Sequence, residues 1–182
     1  MPGMTDTERF ELVRPIPAPA ADIFRIVSDP AGHVAIDSTG MLQSYTGDPA
    51  TQVGDEFVIH MDREALNDFP MGKYDVTVQI VTFEQDREIA WTILGQIKPN
   101  IGHVYGYRLD PGEEAGTTLV TQYYDWSNIH EQWRQADIFP IISELAIRAT
   151  LGILERTLVH GMPPGLARSR RSRSSPTSAS AA

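Results

Sequence analysis

From Met41 to Ser127 the hydrophobic pattern repeats every two residues with no helical interlude, and this constrains the fold more than any other feature of the chain. YDVTVQIVTFE, Tyr74 to Glu84, sets Tyr74, Val76, Val78 and Ile80 against Asp75, Thr77 and Gln79. That alternation is the mark of a strand with one buried face. MLQSYTG (Met41 to Gly47) and DEFVIHM (Asp55 to Met61) read as strands too, the second with Phe57, Ile59 and Met61 on one face. REIAWTIL groups Ile89, Trp91 and Ile93, and HVYGYRLD (His103 to Asp110) and TTLVTQYYDWS (Thr117 to Ser127) complete the series. EQDR and PGEEAG between successive strands are hairpin turns. Strands that follow one another as a meander pair antiparallel.

Both ends of the meander change period. Phe10, Leu12 and Val13 predict a first strand, closed by Pro15, Pro17 and Pro19 because proline cannot donate to a central ladder. Pro19 suits the first turn of a helix, in which Ile23, Phe24, Ile26 and Val27 share one face and which Pro30 keeps short. A second short helix is expected from His33 to Asp37. After Trp126 the spacing becomes helical and predicts one long helix from about His130 to His160, ended by Gly161, Pro163 and Pro164. Ile138, Ile141, Ile142, Leu145, Ala149 and Ile153 form one apolar stripe on it; Ile147, Leu151, Leu154 and Leu158 form another nearly opposite. Such a helix is either gripped over more than half its circumference or lends a face to a homodimer.

The pieces assemble as an α+β domain: a curved antiparallel sheet of about six to seven strands around a long C-terminal helix. Two short helices near the N-terminus plug the mouth of the sheet, and an internal cavity is expected beside them. Residues 1–161 form this ligand-binding domain, and 162–182 a disordered basic Ser/Arg-rich tail. The tail from Gly165 onward carries Arg168, Arg170, Arg171 and Arg173 and no acid, so the net charge of −9 leaves −13 for the remainder. A body that acidic repels phosphate backbones, so nucleic acid is not the expected partner; the tail is read as solubilising, with contact to an anionic partner as the alternative.

The chain has no cysteine, hence no disulfide, zinc-thiolate site or thiol nucleophile. No apolar run is long enough for a membrane span. The opening MPGMTDTERFELV has acids where a secretory signal needs basic residues, so the cytoplasm is the expected compartment.

Four segments carry a resemblance: RPIPAPAADIFRIVSDPAGHVAID, VGDEFVIHM, YDVTVQIVTFEQDREIAW and GTTLVTQYYDWS. They resemble the START-like, birch-pollen-allergen-like helix-grip superfamily (SRPBCC), in its polyketide cyclase/dehydrase-like branch, over most of the chain from Arg9 to about His160. The resemblance implies the helix-grip fold and a cavity for a hydrophobic ligand. It implies no particular reaction, because the fold hosts carriers and enzymes alike.

Tyr105 and Tyr107 share one strand face, and Val120, Gln122, Tyr124 and Trp126 share another. With Trp91, Phe57 and Leu145 they are the candidate ligand-binding group: aromatic walls with phenol hydroxyls and one amide as the few polar contacts. Tyr123 and Tyr124 are adjacent and point opposite ways, so one of them lies outside. His103 shares parity with Tyr105 and Tyr107 and is either a general acid or base in the cavity or a satisfied or rim histidine. His60 and Arg108 fall out of phase and are expected at the surface. His33 and Asp37, four apart, are placed to meet, but no third ligand stands at a metal-binding spacing, and neither a metal nor a cofactor is expected. There is no G-x-S-x-G elbow and no Gly-rich phosphate loop.

The leading expectation is a binding protein for a small hydrophobic, aromatic or polyketide-like molecule, with the short helices gating access. The alternatives are a cyclase or dehydratase using pocket tyrosines as proton donors, and a dimeric interaction protein using the stripe Ile147, Leu151, Leu154 and Leu158.

Overall fold

The computed structural model describes residues 8–166. Its strands are β1 (Arg9–Ile16), β2 (Leu42–Thr46), β3 (Glu56–Asp62), β4 (Lys73–Glu84), β5 (Glu88–Leu94), β6 (Val104–Pro111) and β7 (Thr118–Asp125). They form one seven-stranded antiparallel sheet in the order β1-β7-β6-β5-β4-β3-β2, so the meander from β2 to β7 is intact and β1 adds to its far edge. The helices are α1 (Ala20–Val27), α2 (Pro30–Ile36), α3 (Glu131–Gln135) and α4 (Glu144–His160). The sheet curves over α4.

Register decides which loops lie together. Asp62 pairs with Lys73, Thr92 with Val104, and Val104 with Asp125, which brings loops 63–72, 95–103 and 126–143 to one end of the sheet. Pairings of Glu84 with Glu88, and of Thr118 with both Pro111 and Ile16, put two hairpin turns and the start of α1 at the other end.

The proline run does turn the chain off β1 and into α1, with Pro19 as its N-cap. Ile23, Phe24 and Val27 are buried, and the Phe24 ring meets Phe83 edge-on at 5.3 Å, next to the β4–β5 turn. α1 therefore closes the end opposite the open loops and does not gate the mouth, whereas α2 runs toward the mouth, its C-cap Asp37 accepting from the N–H of Leu42, the register partner of Met61. Their close packing depends on Gly32, where a Cβ would stand 1.8 Å from the Ile26 carbonyl oxygen.

The single helix expected from His130 to His160 is two helices of five and 17 residues. Pro140 cannot donate an intrahelical bond and its ring clashes with the preceding turn, and Asp137 takes a left-handed φ of 52°. Ile138, Ile141 and Ile142 are therefore carried by a non-helical connection. The helix restarts at Ser143, whose hydroxyl accepts from the Ala146 N–H at 3.1 Å. On α4 the buried residues are Ile147, Thr150, Leu151, Leu154 and Thr157, while Leu145 is 73% exposed. The stripe set aside as a dimer face is thus already covered by the protein's own core, each fully buried leucine adding roughly 1.5–3 kcal/mol. Gly161, at φ 87°, ends the helix. Most of the expected tail, residues 167–182, lies outside the described residues. Among the described residues no helix is long and apolar enough to cross a membrane.

Candidate ligand cavity

Between the concave face of the sheet, α2 and the mouth loops lies a cavity of about 460 Å³. The sheet supplies one wall through side chains two residues apart, as strand geometry requires: Ile59 and Met61 from β3, Tyr74, Val76 and Val78 from β4, Trp91 and Ile93 from β5. His33 and Ile36 of α2 line a second side. Phe69 and Met71, Ile97, and Ile138 come from the three mouth loops, each more than a third exposed, and form an apolar rim.

Five of the ten candidate residues line this cavity: Trp91, His103, Tyr105, Tyr107 and Gln122. The other five do not. Tyr124 is fully buried behind the wall, stacked on Tyr105 at 4.6 Å and on Trp126 at 5.2 Å, and Trp126 in turn meets Phe10 at 4.9 Å. Phe57 is core, its ring edge-on to His33 at 5.1 Å, and Val120 is core with no exposed surface. Leu145 faces outward, because α4 begins only at Glu144 and presents its other side to the sheet. The outer tyrosine of the adjacent pair is Tyr123: its hydroxyl donates to Glu88 at 2.8 Å and Arg9 stacks on its ring at 4.3 Å.

The polar groups of the wall fall into two sets. Several are committed to the protein. His33 Nε2–H donates to the Val27 carbonyl at 2.8 Å, and Trp133 Nε1–H donates to the Pro99 carbonyl at 2.8 Å. Asp37 accepts from the N–H groups of Thr39 and Leu42 and from the Thr39 hydroxyl, so it does not act with His33. Others are not. His103 Nδ1 shares a 3.0 Å hydrogen bond with the Tyr124 hydroxyl, while its Nε2 has no partner among the described residues, and neither has Gln122 Oε1. Both residues are more than nine-tenths buried.

Burial sets the protonation states. Desolvation lowers the pKa of His103, and likewise of His33, to about 4, so both rings are neutral at pH 7. The same effect raises the Tyr105 and Tyr107 hydroxyls above the ordinary tyrosine range. The remaining surface residues behave as expected: His60 lies between Thr46 and Asp75, and Arg108 beside Asp110, both partly exposed. Among the described residues no group of three His, Asp or Glu side chains could hold a metal ion.

Arg63 escaped the reading of the sequence. It is 7% exposed, lines the cavity just beyond β3, and pairs through Nε and Nη2 with Asp68 at 2.8 and 2.7 Å. Its signal was present: Arg63 continues the parity of Phe57, Ile59 and Met61.

This architecture has counterparts among solved structures. Protein CV1439 from Chromobacterium violaceum superposes with a TM-score of 0.61 at 14% identity, over 83% of this chain and 96% of the other. The Aha1 protein of Colwellia psychrerythraea, solved in solution as a dimer, gives 0.54 at 15% identity, over 84% and 97%. DynU16, from the dynemicin biosynthetic locus, gives 0.53 at 19% identity over 86% of this chain, which spans about half the length of DynU16. The likeness is one of fold. No protein-family profile and no curated protein sequence matches this chain at a significant level.

Proposed function

We propose that this protein is a helix-grip member of the START-like superfamily that binds a small, mainly hydrophobic molecule, aromatic or polyketide-like, in the cavity. The observation that carries this reading is the composition of the wall. A drug-sized volume is walled by aliphatic and aromatic side chains, and two buried polar atoms, His103 Nε2 and Gln122 Oε1, have no partner among the described residues. Cavities of this kind suit a ligand that is apolar over most of its surface and fixed by a few hydrogen bonds. An unpartnered buried polar atom costs about 1–3 kcal/mol, and a ligand supplying the partner recovers that on binding.

The same chemistry favours a binder over an acid–base enzyme. Phenols whose pKa burial has raised hold their protons more tightly, so Tyr105 and Tyr107 stay protonated and are poor proton donors at pH 7. Tyr107→Phe separates the two: a binder keeps its ligand with at most a modest loss of affinity, whereas a cyclase using that hydroxyl loses its rate.

The direct test is native mass spectrometry of protein purified from its own host, followed by denaturation and identification of what is released. A stoichiometric small molecule of defined mass supports the reading. Protein that arrives empty, and stays empty when offered a library of hydrophobic compounds, overturns it.

A further inference from the structure

Among the described residues lining the cavity, Arg63 is the one arginine or lysine. Burying a guanidinium in an apolar wall is expensive unless its donors are satisfied, so the distribution of its hydrogen bonds carries information. The side-on edge, Nε with Nη2, is spent on the two oxygens of Asp68. Nη1 meets the Met41 thioether, at 3.4 Å, a weak acceptor. The guanidinium also donates to the Tyr74 hydroxyl. Met41 and Tyr74 are themselves cavity residues. The end-on edge, Nη1 with the second Nη2 proton, therefore lies among cavity-wall side chains and, among the described residues, meets no carboxylate, the neutral Met41 thioether and Tyr74 hydroxyl being the acceptors near the guanidinium besides Asp68. It has the spacing that a carboxylate fills with two parallel bonds.

The placement of the acids points the same way. Asp68 stands on the mouth loop and pairs with the side-on edge of Arg63, so it offsets the guanidinium charge but leaves the end-on edge without a carboxylate. Asp37, the one acid on the wall among the described residues, already accepts three hydrogen bonds. Phe69 covers the guanidinium at 4.9 Å, which screens the site from water and strengthens any charged pair formed there.

We infer that the ligand is an amphiphilic organic acid whose carboxylate takes the Nη1–Nη2 edge of Arg63, with its apolar body against Trp91, Ile59 and Val76. This deepens, and rests on, the small-molecule reading above. Because Arg63 follows the end of β3 at the mouth, the acid group lies near the mouth and the apolar end points inward toward His33, which packs on Phe57 near the other end of β3.

The test uses the full chain and a neutral fluorescent probe, N-phenyl-1-naphthylamine, displaced by 1-naphthylacetic acid or by its methyl ester at neutral pH. The wild type should release the probe at roughly tenfold lower acid than ester, the worth of one charge-assisted bidentate contact. Arg63→Met should erase that preference, and Asp68→Asn, which removes the competing carboxylate, should raise acid affinity several-fold and leave the ester unchanged. Equal displacement by acid and ester in the wild type, or a preference that survives Arg63→Met, overturns the inference and leaves the small-molecule reading standing. If circular dichroism shows that Arg63→Met does not fold, Asp68→Asn decides, and unchanged or weakened acid binding overturns the inference. Failure of the probe, the acid and the ester all to bind overturns this inference and the small-molecule reading together.

Discussion

The Tyr124 hydroxyl stands 3.0 Å from Nδ1 of His103, and both residues are removed from solvent. The tyrosine contributes no surface to the cavity; it takes up one nitrogen of a cavity histidine and leaves the other for a ligand. Tyr124→Phe keeps the stacked ring and orphans Nδ1, so it should cost about 1–3 kcal/mol of stability. Urea denaturation reads this directly, and a variant as stable as the wild type would show that the bond supports nothing.

The two buried histidines set a pH dependence. His33 and His103 have folded pKa values of about 4, against 6.5 for an unburied ring. Between those values the unfolded chain binds more protons than the folded one, so stability is complete above pH 6.5 and falls as the pH drops toward 4. Each histidine accounts for about 3 kcal/mol over that window. Asp68, held at about 2 by Arg63, contributes only to losses at lower pH. Denaturation midpoints measured from pH 7 to 4 should fall steadily, and His103→Gln should remove about half of the slope. A flat profile would show that the rings are not buried neutral.

Tyr123 lies over Gly106, where a Cβ would stand 2.3 Å from the ring carbon Cζ. Gly106→Ala must push the ring away and break its bonds to Glu88 and Arg9, a loss of about 1–3 kcal/mol. In Tyr123→Ala the obstruction is gone, so adding Gly106→Ala should then cost little. A double-mutant cycle with a coupling near zero would contradict this packing.

On α4 the choice of face is testable by two leucines of the same chemistry. Leu154 has no exposed surface and Leu145 is 73% exposed. Leu154→Ala should cost about 2–5 kcal/mol and Leu145→Ala at most about 0.5 kcal/mol. Polar substitution of Leu151 and Leu154 together should unfold the protein; a folded, soluble monomer from that variant would restore the dimer-face reading.

Period and punctuation are local properties, and they were legible. The alternation of β4, the hairpin turns and the proline-bounded α1 follow from side-chain direction along an extended or helical backbone. So did the opposed pair Tyr123 and Tyr124. Pro140 is legible as well: a residue without an N–H inside an apolar run of helical spacing divides the helix that the spacing alone predicts.

Parity states which side chains share a face, but not what that face meets. Phe57 and Ile59 point the same way, yet the first packs on His33 in the core and the second lines the cavity. Tyr105 and Tyr124 are register partners on neighbouring strands, and only the first reaches the cavity. That division depends on sheet curvature, on irregular pairing such as the shift between Ile80 and Thr82, and on how far the mouth loops fold in. The burial of Arg63 is the sharpest case: a charged side chain just past a strand end reads as exposed until a loop ten residues long brings Asp68 and Phe69 back over it. The sequence by itself determined the elements and their relative facing, because those depend on neighbouring residues. Only the tertiary structure decided which inward side chains pack and which line an open space, because that depends on residues distant in the chain.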